Sequence, residues 1–220
     1  PPSSWAFSIT PLPAAKIGAR LVHGSAIGAD PNSRSKYAQT KAAGEAAVRQ
    51  HVPEAVILRP SVVFGPEDDF FNKFAAMARL SPVLPLVGGG KTRFQPVFVG
   101  DVAAAVDAAL EGRARPGTIY ELGGPEVKTF EELMQLMLAE IGRRRLLVPV
   151  PFAIARLQAF FLEWLPKPLV TRDQITQLER DNVVSAEAER EGRTLQGLGI
   201  TPTAMAAILQ RYLSRFSRAG

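Results

Sequence analysis

Tyr37 and Lys41 stand four positions apart in SKYAQTKAAGE, a run of alanine, lysine, glutamine and glutamate of the kind that forms helix. Four positions along a helix bring two side chains onto one face, so a phenol and an ammonium project together. The chemistry such a pair serves is proton transfer to a carbonyl, or from a hydroxyl, in step with hydride transfer. A free phenol, with a pKa of about 10, is a poor base near neutrality, and an adjacent ammonium favours the phenolate by Coulomb attraction. Ser25 completes the set: it stands in the loop expected after the preceding strand, where its hydroxyl can bind a substrate oxygen. The spacing alone more often marks a solvated helix face, so the weight of the reading falls on the elements around it.

The run ARLVHGSAIG, Ala19 to Gly28, opens apolar and breaks at Gly24 and Gly28, which predicts a short buried strand and a loop. A helix is expected from Ser35 to His51, with Ser33 or Ser35 as N-cap and Pro53 as its stop. AVILRPSVVFGP, Ala55 to Pro66, is nearly all apolar and β-branched, the composition of a parallel strand covered on both faces. Strand, helix, strand at this spacing is a βαβ crossover, and the fold class is α/β. The alternation continues with a helix over Phe70 to Leu80, a strand over Gln95 to Val99, and a helix from about Asp101, whose carboxylate can cap it. Thr118 to Gly124 reads as a strand ending in a glycine turn, and Thr129 with Glu132 forms a capping box at the head of a helix reaching Arg143. Beyond Val150 the pattern is helical: FAIARLQAFFLEWL, TRDQITQLERD and PTAMAAILQRYLSRF. The organisation expected is a lead-in over residues 1–13 outside the packed fold, a sheet domain over 14–150, and a small, mainly helical lobe over 151–220.

Composition narrows the chemistry further. At 220 residues and 46% hydrophobic, the chain can bury a substantial core. Its net charge of +5 is spread along the sequence rather than gathered into the stripe of a nucleic-acid binder. With no cysteine and two isolated histidines, His23 and His51, it has no thiolate nucleophile and no zinc-ligand pattern, so no metal is expected. The apolar run from Leu146 to Ala155 holds two prolines and falls short of the roughly 18 residues a spanning helix needs, which implies a soluble or at most peripheral protein. Gly88 to Gly90 tempts a phosphate-loop reading, but a strand follows rather than a helix, and a turn is expected. The helix from Phe152 to Leu165 carries Phe152, Ala155, Ala159 and Leu162 at helical spacing. Phe160, Phe161 and Trp164 widen that face, which reads as core or as a surface for a partner or membrane.

In this order the segments HGSAIGADPNSRSKYAQTKAAGEAAVR, ILRPSVVFGPEDDFFNKFAAMARLSPVLPLVGGGKTRFQPVFVGDVA and YELGGPE resemble the extended, atypical short-chain dehydrogenase/reductases, the NAD-dependent epimerase/dehydratase family. Within it they are similar to bacterial relatives of the nucleotide-binding accessory subunit of respiratory complex I. The resemblance runs from about Ala14 to Leu213. It implies the C-terminal part of a Rossmann-type, doubly wound parallel sheet, without the N-terminal half that carries G-x-x-G-x-x-G, as in a fragment of a longer protein. It implies Tyr37, Lys41 and Ser25 as the catalytic positions, and Tyr37, Lys41, Pro60, Ser61 and Val62 as contacts to NAD or NADP. Phe71, Arg93 and Gln95 are the candidates for substrate contact. Cofactor affinity should be weakened without the glycine-rich half, and a free sheet edge would favour self-association. Two functions follow from the resemblance: a structural or weakly active NAD(P)-binding subunit associated with complex I at the inner face of the cytoplasmic membrane, or an active oxidoreductase, epimerase or dehydratase on a carbonyl or sugar-nucleotide substrate.

Overall fold

The computed structural model describes residues 19–162 and 171–217, with backbone only at 161 and 162. The lead-in expected over residues 1–13 lies outside them. β1 (Val22–Gly24) runs into α1 (Lys36–His51) and returns through β2 (Val56–Pro60), parallel to β1 with Val22 level with Val56 and Gly24 with Leu58. The predicted crossover is therefore present. Ser35 caps α1, its hydroxyl accepting from the Ala38 amide at 3.4 Å, and the helix ends at Val52, ahead of Pro53. β1 is only partly buried, against the expectation of a buried strand, since among the described residues it pairs with β2 alone. β2 is the middle strand, and Val56, Ile57 and Leu58 are buried as its composition predicts.

β3 (Val63–Phe64), α2 (Phe70–Leu80) and β4 (Val83–Val87) follow. The first amides of α2 are satisfied by Asp68, whose Oδ1 accepts from Phe71 N at 2.6 Å and Asn72 N at 3.2 Å. Gly88–Gly90 is one tight turn with φ of 64, 70 and 71°, leading into β5 (Arg93–Phe94). Gly90 has no room for a side chain, since a Cβ there would stand 2.9 Å from Cβ of Glu131. The strand expected over Gln95 to Val99 is shorter, β6 (Val97–Phe98), and α3 (Val99–Leu110) begins ahead of Asp101. Asp101 does not cap its own helix. It is buried in the first turn, where its carboxylate accepts from the amide and hydroxyl of Thr203 at 2.7 and 2.8 Å and so fastens the C-terminal segment to α3.

β7 (Ile119–Leu122) pairs in parallel with the other edge of β2, giving the order β1-β2-β7. β8 (Lys128–Thr129) pairs antiparallel with β5 and opens α4 (Phe130–Glu140) through the predicted capping box. Thr129 Oγ1 accepts from Glu132 N at 3.2 Å, and Glu132 Oε2 accepts from Thr129 N at 2.7 Å. The apolar run after α4 is a strand, β9 (Leu146–Val150), parallel to β4; a two-stranded sheet leaves each strand a free edge, where Pro85 and Pro149 are tolerated.

The C-terminal helices are α5 (Phe152–Leu162), α6 (Arg172–Gln177), α7 (Ala186–Arg190) and α8 (Met205–Leu213). They build no core from themselves alone. Met205, Leu209 and Leu213 pack with Phe71, Ala75 and Leu133, while Leu195 and Leu198 pack with sheet residues Leu58 and Leu122 and with the alanine face of α3. Ala155, Ala159 and Ile175 close on Val87. Ile154, Leu157 and Phe160 on α5 are exposed, and Trp164 lies outside the described residues.

Candidate functional site

The carboxyl ends of β1 and β2 open onto a cleft of about 850 Å3. Crossovers leave ligand-sized space at this end of a parallel sheet. Ser25 to Gly28 form one wall, Pro60 to Val62 the facing one, with Tyr37 at the head of α1 and Arg180 to Asn182 across the side. The catalytic serine and tyrosine positions and the three loop positions expected from the sequence therefore line one space.

Their individual states differ from the expectation. Tyr37 is 44% exposed, yet burial of the rest of its ring pushes the phenol above its ordinary value, so it is neutral at pH 7. Lys41 does not line the cleft; its Nζ lies 5.6 Å from the centroid of the Tyr37 ring, over the aromatic face. The lowering of the phenol's pKa expected from Lys41 is not found: the shift is upward and its cause is desolvation.

Ser25 is buried, held by its own amide donating to Leu58 O at 2.7 Å, and its Oγ donates to Glu45 Oε1 at 2.5 Å. Glu45 also receives a two-pronged bond from Arg59, Nε to Oε1 at 2.7 Å and an Nη to Oε2 at 2.6 Å. Burial works to raise the Glu45 carboxyl, but the hydrogen bonds from Arg59 and Ser25 and the Arg59 charge outweigh it and hold the group below its ordinary value, ionised at pH 7. Glu45 follows Lys41 by one further helical repeat, the third member of a stripe with Tyr37, and Arg59 stands on β2 beneath it. That stripe, together with an arginine inside an otherwise apolar strand, was a readable signal that the sequence reading passed over.

The candidate substrate residues separate. Phe71 is fully buried, its ring 6.3 Å from Phe64 and 5.1 Å from Phe70, so it belongs to the core, and Phe70 is the α2 aromatic that reaches the cleft. Gln95 faces elsewhere: its amide donates to Gly124 O and accepts from Val184 N, both at 2.9 Å, in a smaller cavity of about 260 Å3. Arg93 is paired with Asp181 at 2.7 Å.

Several contributors come from the far end of the chain. Asp173 accepts from Lys36 N at 2.7 Å, Ser35 Oγ at 3.1 Å and Tyr37 N at 3.3 Å, a carboxylate capping the helix that carries Tyr37. Arg180 pairs with Asp30 at 3.1 Å, and the Asn182 side chain contacts both walls. No local pattern in TRDQITQLERDN announces these contacts, since each depends on a partner more than a hundred positions away.

Residues 22–123 match the model of the NAD dependent epimerase/dehydratase family. The chain is 37% identical over 211 residues to NADH dehydrogenase (ubiquinone) 1 alpha subcomplex subunit 9, mitochondrial, of Arabidopsis thaliana, covering 91% of this chain and 52% of that protein. It is 33% identical over 198 residues to the NADH-ubiquinone oxidoreductase 40 kDa subunit, mitochondrial, of Neurospora crassa, covering 90% and 51%. The chain thus spans about half the length of the curated relatives it matches. Among solved structures, it superposes with a TM-score of 0.62 and 22% identity on the dTDP-glucose 4,6-dehydratase of Streptomyces venezuelae with NAD bound, covering 92% of this chain and 61% of that one. With the Thermus thermophilus UDP-glucose 4-epimerase complex with NAD the TM-score is 0.60 at 22% identity, covering 94% and 67%. Both share the fold.

Proposed function

We propose that the chain, whose residues 22–123 match the NAD dependent epimerase/dehydratase family and whose relatives are NADH dehydrogenase subunits, forms the nicotinamide-facing part of an NAD(P)-binding accessory subunit of the respiratory NADH:ubiquinone oxidoreductase. In that role it holds a dinucleotide for structural purposes, with little or no turnover. The observation that carries the reading is the state of Ser25. A hydroxyl whose proton is donated to a carboxylate has only lone pairs left to offer, so it does not polarise a substrate carbonyl. Tyr37, as a neutral phenol, offers a proton but no base for the oxidative direction. Space for a ring and an amide remains; the acid and base pair is not set for chemistry.

The cofactor fits the residues present in kind. Tyr37, Ser61 and the backbone of Pro60 to Val62 line the cleft where a nicotinamide riboside would lie, and the cofactor, when bound, supplies a hydride acceptor or donor. Association with the respiratory enzyme is supported by the names of the relatives, which are NADH dehydrogenase subunits. It carries with it a place at the inner face of the membrane, held there by partner subunits. Among the described residues no helix is long and apolar enough to cross a membrane.

Fluorescence titration of NADH and NADPH against the purified chain, with parallel assays on a panel of carbonyls and alcohols, tests the proposal. Binding without turnover is expected, weakened in Tyr37→Phe, which removes a hydroxyl from the cleft. Failure of both nucleotides to bind overturns it. Turnover that Tyr37→Phe abolishes establishes the second reading, an oxidoreductase, epimerase or dehydratase on a carbonyl or sugar-nucleotide substrate, which is favoured by the presence of Ser25 and Tyr37 in one cleft.

A further inference from the structure

We infer that Asn182 is the positioning residue of the cleft, the group that sets the angle between its two walls from a segment remote from both. Beyond the β1–β2 ladder, which Ser25 N prolongs by donating to Leu58 O at 2.7 Å, Ile27 N donates to Pro60 O at 3.0 Å and joins the walls at their base. Those backbone bonds hold the walls where they leave the sheet; a side-chain tether off the ladder fixes the angle between them beyond it. Asn182 provides that tether. Its Oδ1 accepts from Ser61 Oγ at 2.6 Å and Val62 N at 3.1 Å on one wall, and its Nδ2 donates to Ile27 O at 3.4 Å on the other.

The side chain is presented from a rigid mount. Asn182 N donates to Arg93 O at 2.8 Å and Asn182 O accepts from Gln95 N at 3.1 Å, so its backbone forms a parallel bridge with Phe94. The two residues before it are fastened too, Asp181 to Arg93 and Arg180 to Asp30. The task needs a carboxamide. One wall offers donors, a hydroxyl and an amide, and the other offers a carbonyl, so the tether must accept on one side and donate on the other. A carboxylate satisfies the first wall and repels the second. An apolar side chain leaves the Val62 amide without this partner, while the buried Ser61 hydroxyl keeps only the Asn182 backbone oxygen, 2.9 Å away. That Asn182 holds the walls is a statement about the protein alone; that the walls hold a nicotinamide rests on the proposed function.

The test reads the two statements separately, using the full chain, its Asn182→Ala and Asn182→Asp variants, amide hydrogen exchange by mass spectrometry, and NADPH titration. Asn182→Ala is expected to speed exchange over residues 25–29 and 60–65 by roughly fivefold or more, with α4 unchanged. Asn182→Asp, the isostere that keeps an acceptor for Ser61 and Val62 and loses the donor to Ile27, is expected to speed exchange over 25–29 while 60–65 stays protected. Both are expected to raise the NADPH dissociation constant by roughly fivefold. Exchange unchanged in both variants overturns the tether, and so does acceleration by Asn182→Asp spread evenly over the chain. Local acceleration with NADPH affinity unchanged overturns the positioning role. If wild-type chain binds no NADPH, the proposed function fails while the wall-by-wall exchange pattern still upholds or overturns the tether.

Discussion

Glu45 sits at the centre of the site's electrostatics although it does not line the cleft. Its carboxylate joins the helix of Tyr37 to the middle strand through Arg59 and holds the Ser25 proton. Removing one partner from such a pair leaves the other charge poorly compensated, so Glu45→Ala is expected to destabilise by about 2–4 kcal/mol in urea unfolding, the partial exposure of Arg59 keeping the loss to the lower part of the range for buried pairs. The pH dependence has a definite sign. The Glu45 carboxyl is held below its ordinary value of 4.5, so the stability it contributes is fully present above that pH and is lost as pH falls through the lower folded value. Thermal melts from pH 6 down to pH 3 should therefore fall more steeply for the wild-type chain than for Glu45→Gln. Parallel slopes would mean that the pair contributes nothing.

At the scale of elements, α1 begins under two caps of different origin. Ser35 is local and was legible as an N-cap beside Ser33; Asp173 arrives from α6 and adds a negative charge at the positive end of the helix. Asp173→Asn keeps the shape and removes the charge, and is expected to cost roughly 0.5–1 kcal/mol in chemical denaturation, a loss that shrinks as salt is raised. The contrast with Asp101 is instructive. A carboxylate near the start of a helix reads from sequence as a cap, yet Thr203 supplies an amide and a hydroxyl in a buried place, and the carboxylate is spent there. Propensity placed the helix to within a few residues; a long-range partner decided what its first acidic residue does.

For the whole molecule, the helices beyond Val150 complete cores begun by the sheet segment rather than standing beside it. Leu209 of α8 is fully buried among α2 and α4, and Leu195 reaches the sheet. Leu209→Ala is expected to destabilise by about 2–5 kcal/mol, and calorimetry of the wild-type chain should show one cooperative transition. A separate lower transition, moved alone by Leu209→Ala, would mean that the C-terminal helices fold independently. The α/β class, the crossover β1-α1-β2, the capping box at Thr129 and the turn at Gly88 to Gly90 were determined by the sequence by itself, because each rests on periodicity, local hydrogen bonding or the fixed hand of a βαβ unit, while the meeting of Ser25 and Tyr37 with Pro60 to Val62 was implied by the resemblance to the family. Only the tertiary structure decided that the Ser25 proton goes to Glu45, that Phe70 and not Phe71 faces the cleft, that Leu146 to Val150 pairs with β4, and that Asp173 and Asn182 come back to the site. Those outcomes depend on which polar groups and surfaces meet once distant segments pack, and a desolvated hydroxyl or carboxylate takes whichever partner the fold sets beside it.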